Sequence, residues 1–299
     1  MWFLPAVICL LLWSGSDVFS KIGCVDQKKD PYAPLKMVVA VGLVMGVHAI
    51  YSLLAKDIGF SWSDIVRYLP VSLLYIISMA IGYLGLRYIE LSISSPICNA
   101  SGAVVLLIYL FKGEPLEGLA ALALILVILG VLGLGVVEYR EDPEKRKLRQ
   151  EEANRYYAKS LLAILLPILY MIIDALGTYA DSIILETMPE EVANTAYELT
   201  FLTCGIVVFI YLLASGKFTF LKKEDSAKLV GALFETGGQF AYVFALSANA
   251  MYAAPVISSY CVVSVVWSRI FLKEKLSAWH YLTIACAVAG IVILGILDV

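Results

Sequence analysis

Residues 118–137 read GLAALALILVILGVLGLGVV, an unbroken run of aliphatic side chains and glycines. At 1.5 Å per helical residue the run is about 30 Å long, the thickness of a bilayer's hydrocarbon core. Lipid cannot hydrogen-bond an exposed peptide group, so such a segment must satisfy its own backbone as a helix. A barrel strand would alternate polar and apolar side chains, and this run does not. Reading outward from it, the chain offers ten windows of the same kind, near residues 2–23, 34–55, 67–89, 93–111, 118–138, 159–184, 191–214, 227–247, 251–271 and 278–297. A composition of 61% hydrophobic and 16% charged residues excludes a soluble domain with a polar skin. The expected fold class is all-α integral membrane, with ten transmembrane helices.

The first window carries Trp13 and Asp17 and lacks the basic head and small-residue cleavage site of a secretory signal, so it reads as a retained helix. Ten spans divide the loops between two faces, and the 22 Lys and Arg residues fall almost entirely on one of them. Lys21, Lys28, Lys29, Lys36, Arg87, the basic residues from Arg140 to Lys159, Lys217, Lys222, Lys223, Lys228, Arg269, Lys273 and Lys275 share that face. Only Lys56, Arg67 and Lys112 lie on the other. The positive-inside rule then makes the first face cytoplasmic and places both termini outside the cell membrane. The stretch 139–158, YREDPEKRKLRQEEANRYYA, has mixed charge and no apolar face, and reads as a cytoplasmic linker at the chain's midpoint. Cys9, Cys24, Cys98, Cys204, Cys261 and Cys286 occur singly and read as small packing residues.

The halves on either side of the linker repeat one another. Trp13 and Asp17 fall on Tyr170 and Asp174, both 157 residues on, while Tyr83 and Pro96 fall on Tyr242 and Pro255, both 159 residues on. Self-similarity at a fixed spacing marks a duplicated unit. The expected organisation is a first five-helix repeat at 1–138, the linker, and a second repeat at 159–299. Because five is odd, the second copy enters the membrane from the opposite side, and the repeats are inverted. Inverted repeats about an axis in the membrane plane are the architecture of carriers that open to alternate sides.

In this arrangement the chain resembles the drug/metabolite transporter superfamily, and within it the ten-helix EamA-type carriers. The resemblance rests on LLWSGSDVFSKIG at 11–23, on SSPICNAS at 94–101 and AAPVISSY at 253–260, and on the acidic turns KGEPLEG at 112–118 and KEKLS at 273–277. It implies a carrier that exchanges or cotransports a metabolite or drug, often with protons, and it leaves the substrate open.

Ionisable groups deep in a span are costly and therefore informative. Asp17, Asp174, Asp181, Glu198 and Glu235 are such groups, and each is a candidate for proton coupling. His48 is the basic residue within a span, while Lys and Arg sit toward helix ends where their stems can snorkel. An acidic interior without a matching cation favours a cationic substrate, a bound proton, or both. Trp13 and Asp17 lie one helical turn apart, as do Tyr170 and Asp174; Glu235, Gln239 and Tyr242 follow at four and seven, and Tyr260, Ser264 and Trp267 repeat that spacing. Aromatic faces beside a carboxylate suit an ammonium group. The expected substrate-binding set is Trp13, Asp17, Tyr83, Tyr170, Asp174, Glu235, Gln239, Tyr242 and Tyr260.

Trp2, Trp62 and Trp279 read as membrane-interface residues. Gly42 and Gly46 form a GxxxG suited to helix packing, Gly237 and Gly238 beside Glu235 read as a hinge, and Pro96 and Pro255 as residues that open their helices. The expected function is a secondary transporter of a small organic cation or amine, choline-like or another ammonium metabolite or a cationic drug. An amino-acid or other metabolite exporter of the same family is the alternative within the class. A membrane enzyme is disfavoured, since His48 and His280 supply no HExxH, no Cys/His metal set and no phosphate loop. A non-transporting scaffold is disfavoured by the buried acids. No metal, cofactor or nucleic acid is expected, and either a monomer or a homodimer would serve.

Overall fold

The computed structural model describes residues 1–24, 30–85, 91–116, 118–140, 161–271 and 276–297. The linker from 141 onward, Lys28, Lys29, Arg87, Lys273 and Lys275, and positions 273–275 of the second acidic turn lie outside the described residues. The described residues form helices α1 (Phe3–Cys24), α2 (Ala33–Ala55), α3 (Trp62–Gly85), α4 (Leu91–Asn99), α5 (Ser101–Phe111), α6 (Gly118–Arg140), α7 (Leu161–Leu185), α8 (Glu190–Ala214), α9 (Lys222–Ser258), α10 (Tyr260–Phe271) and α11 (Ala278–Leu297).

Nine helical segments among them are long and apolar enough to cross a membrane. One runs from Lys222 to Trp267, 46 residues. A straight helix of that length would measure about 69 Å, more than twice a hydrocarbon core of roughly 30 Å, so it must contain two passes. The division falls at Asn249, whose backbone is non-helical at φ −167°, ψ 88°. Ten passes result.

The passes pair across the two halves of the sequence. Helix α1 packs on α9 and α3 on α7, while α2 packs on α8, α5 on the later part of α9, and α6 on α11. Exchanging each helix for its counterpart in the other half turns α1–α9 into α7–α3 and returns the remaining three pairs to themselves. A twofold relation between inverted copies has this property.

Small residues set these pairings, because in lipid close backbone approach replaces hydrophobic drive. A Cβ at Gly42 would stand 2.8 Å from the Phe201 carbonyl of α8 and 3.2 Å from the Cα of Gly205, so the GxxxG of α2 is a crossing point. Gly130 of α6 meets Ala287 of α11, and Gly102 of α5 meets Ala254 and Ser258 of α9. Helix α6 is apolar on every side for a physical reason. Leu119, Leu122, Ile125, Leu129, Leu132 and Val136 form an exposed stripe, and Ala120, Ala123, Leu124, Val127, Val131 and Leu134 a buried one.

Three expectations need correction. Pro96 and Pro255 lie inside helices rather than opening them. Each is followed four residues later by a break, between α4 and α5 at Ala100 and between α9 and α10 at Ser259. The glycine pair is not a hinge: α9 is helical through Gly237 and Gly238, and Gly238 instead makes room for the Trp13 indole. Trp2 is buried, stacked on Tyr252 at 6.1 Å between centroids, whereas Trp62 and Trp279 are exposed as expected of interface residues.

Candidate functional site

A cavity of about 110 Å³ lies among α1, α3, the α4–α5 break, α7, α8, α9 and α10. One water needs only roughly 10–15 Å³ on this measure, so the space accommodates a small molecule or a string of waters. All nine residues expected at the substrate site line it: Trp13 and Asp17 from α1, Tyr83 from α3, Tyr170 and Asp174 from α7, Glu235, Gln239 and Tyr242 from α9, and Tyr260 at the start of α10.

Hydroxyls hold two of the carboxylates. Ser95 Oγ and Ser264 Oγ donate to Asp17 Oδ2 at 2.7 and 3.1 Å, and Ser16 Oγ donates to Glu235 Oε2 at 2.7 Å. Ser101 and Asp174 line the same wall of the cavity. Trp13 Nε1 donates to the Glu235 backbone carbonyl at 3.3 Å, and its ring packs on Tyr242 and Tyr260 with centroids 5.1 and 6.0 Å away. The indole thus ties α1 to α9 while presenting a face to the cavity. Behind Asp17, Trp267 Nε1 donates to Ser14 Oγ at 2.8 Å, extending the face that Tyr260, Ser264 and Trp267 share. No Lys, Arg or His is among the described residues that line the cavity. Two buried polar atoms on its wall have no partner, the Tyr83 hydroxyl and Gln239 Nε2.

Two of the five acids lie elsewhere. Asp181 is fully buried below one end of the cavity, where Tyr68 and Tyr75 donate to it at 2.6 and 3.3 Å. The Tyr75 hydroxyl also lies 2.5 Å from that of Tyr242, and both tyrosines line the cavity, so Asp181 is tied to the cavity wall through a phenol. Glu198 is buried between α2 and α8 with His48 Nδ1 2.8 and 2.9 Å from its two oxygens. Its charge has a basic partner within hydrogen-bond distance.

Two lysines near helix starts are buried rather than exposed. Lys36 and Lys228 are buried in a cluster with Asp30 and Asp225 at the end of the fold where α1 finishes and α9 begins. Lys36 Nζ lies 2.9 Å from Asp30, and Lys228 Nζ lies 2.8 Å from Asp225 and 3.5 Å from Asp30. Lys36 also donates to the Thr219 hydroxyl at 3.1 Å and to its carbonyl. Two positive and two negative charges compensate one another, which makes their burial tolerable.

The residues missed from the sequence are Tyr75 and Tyr197, which cross ring edges at 5.9 Å, together with Ser16, Ser95, Ser101 and Thr178. The spacing of Tyr68 and Tyr75 at seven on α3 was the available signal for the phenol ladder.

Crossed helix pairs around a polar, acid-bearing hollow define a multi-pass helical membrane protein. Residues 161–296 match the model of the EamA-like transporter family, a likeness that supports membership of the drug/metabolite transporter superfamily. Proteins of that family are membrane transporters of small substrates, and the match supports the same class for this chain. A solved protein crystal structure superposes with a TM-score of 0.70 over 99% of this chain and 96% of that chain, at 13% identity, a likeness of fold. No curated protein matches the chain in sequence.

Proposed function

We propose that this protein carries a small organic cation or amine across the cell membrane by alternating access, with protonation of cavity acids as the coupling step. In this reading residues 1–138 and 159–299 are inverted five-helix copies joined by the cytoplasmic linker 139–158, and both termini face outward. The observation that carries it is the cavity's chemistry: Asp17, Asp174 and Glu235 share one hollow with aromatic faces, and its described lining has no basic side chain. A carboxylate in such surroundings is stabilised by a cation or by a proton, so the two can exchange for one another. Aromatic faces add roughly 0.5 to 2 kcal/mol for a desolvated ammonium. All nine residues come from one chain, so the reading needs no second subunit. Purified protein in proteoliposomes, loaded with a monoamine or choline, tests it: counterflow should occur, be abolished by Asp17→Asn, and respond to an imposed pH gradient. Absence of any amine counterflow by protein that is otherwise folded overturns it.

The α4–α5 and α9–α10 breaks favour a second reading. Ser101 and Tyr260, the first residues of two half-helices, both line the cavity, and a helix start attracts an anionic group. Under that reading the substrate is an amino acid or another carboxylate-bearing metabolite. Counterflow with an amino acid but not with the matching decarboxylated amine would select it.

A further inference from the structure

We infer that the cavity is built for a linear primary diamine, a substrate with an ammonium at each end, in preference to a monocation or a quaternary ammonium. The inference rests on the cation reading above and sharpens it.

Three observations carry it. First, Asp17 and Asp174 are counterparts in the two halves, each with an aromatic residue one turn away, and they come from helices with different neighbours: α1 lies against α9 and α10, α7 against α3 and α5. Glu235 lines the same cavity. The hollow therefore has two paired acidic stations and a third acid in the same lining. One positive charge leaves at least one of the paired stations uncompensated, whereas a molecule with two charged ends meets both.

Second, the carboxylates retain hydrogen-bond capacity. Both serines on Asp17 donate to Oδ2, and Ser16 donates to Oε2 of Glu235, so Oδ1 and Oε1 have no donor among the described residues. Primary ammonium groups have three N–H donors each and can fill these positions, while a quaternary ammonium has none.

Third, the Tyr83 hydroxyl is buried in the cavity wall without a partner, and it senses the charges of Glu235 and Asp17. A phenol oxygen so placed can accept from an ammonium that also reaches a carboxylate. The methylene chain between two such ends would lie against Met79 and the tyrosine rings, which the lining supplies.

The test is a ligand series on the full-length purified protein, read as ligand-induced rise in melting temperature and converted to apparent affinity. The probes are butylamine, tetramethylammonium, butanediamine, pentanediamine and hexanediamine. At least one diamine should bind about tenfold or more tightly than butylamine, with an optimum chain length. Asp17→Asn and Asp174→Asn should each remove the advantage of that diamine over butylamine, both ligands being measured on the same variant. Equal affinity for butylamine and every diamine overturns the two-station inference and leaves the cation reading standing. No response to any amine overturns both. The wild-type series decides the matter even where a variant fails to fold.

Discussion

Glu235→Gln separates the charge of the cavity from its architecture. The side chain's contact with Ser16 survives, because the glutamine amide oxygen can accept the hydroxyl that now reaches Oε2 at 2.7 Å. The Trp13 indole is indifferent to the change, since it donates to the backbone carbonyl of residue 235. What disappears is one negative charge facing Asp17 and Asp174. A hydrogen bond to a charged group contributes about 1.5–3 kcal/mol, against about 1 for a neutral pair. Replacing the charged contribution by the neutral one, a loss of about 0.5–2 kcal/mol, weakens amine binding by roughly two- to 30-fold at 1.4 kcal/mol per decade. The unliganded protein should behave oppositely, with a melting temperature unchanged or raised, since a like charge has been removed from a dry site. Stability gained together with affinity lost is the signature of a residue kept for function. Binding is measured by calorimetry with the best amine and stability by melting in the same detergent. Undiminished affinity would refute the role assigned to Glu235, and a fall in melting temperature would show that its charge is structural.

Three other substitutions probe the frame. Lys228→Met strands Asp225 and weakens the compensation of Asp30, and should cost about 3–5 kcal/mol, seen as a lower melting temperature that a further Asp225→Asn partly restores. His48→Ala leaves the buried Glu198 unpaired and should destabilise on the same scale, with His48→Ala/Glu198→Gln recovering most of the loss. Gly42→Val drives a branched side chain into the Phe201 carbonyl and should cost about 1–3 kcal/mol, whereas Leu43→Val on the exposed side of the same helix should be nearly neutral.

Much of the site could be read from the sequence because lipid makes polar groups conspicuous. An Asp at position 17 or 174 has no cheap alternative to an interior position, and the spacing that pairs it with Trp13 or Tyr170 follows from helix geometry alone. The residues that escaped are those for which two environments give the same text. A tyrosine such as Tyr75 or Tyr197 suits an interface, a packed core or a cavity wall equally well. Lys36 and Lys228 near helix ends read as snorkelling residues, and only the folded chain brings Asp30 and Asp225 to them. The break at Asn249 was legible, because it falls between the windows 227–247 and 251–271, where Ser247 and Asn249 interrupt the apolar run. Gly237 and Gly238 read as flexible because glycine serves both loose backbone and close contact; the neighbouring Trp13 makes it contact.

The pairing of helices also explains where a carrier of this design would keep its two seals. Exchange of the halves turns the α1–α9 pair into α7–α3, so the contact that closes one end has a counterpart closing the other. Here the counterparts differ in chemistry. The end where α9 begins is tied by two ion pairs among Asp30, Lys36, Asp225 and Lys228, and the end where α3 begins is tied by Tyr68 and Tyr75 on Asp181. Opening the ionic end returns four charges to water, and their hydration offsets much of the attraction given up. Opening the other end releases a single carboxylate from its phenols, and the second of these, Tyr75, is bonded through Tyr242 into the cavity wall. In a carrier that opened to alternate sides the consequence would be asymmetric. The ionic cluster would answer to water and salt at one mouth, whereas Tyr75, holding Asp181, stands in the cavity wall itself.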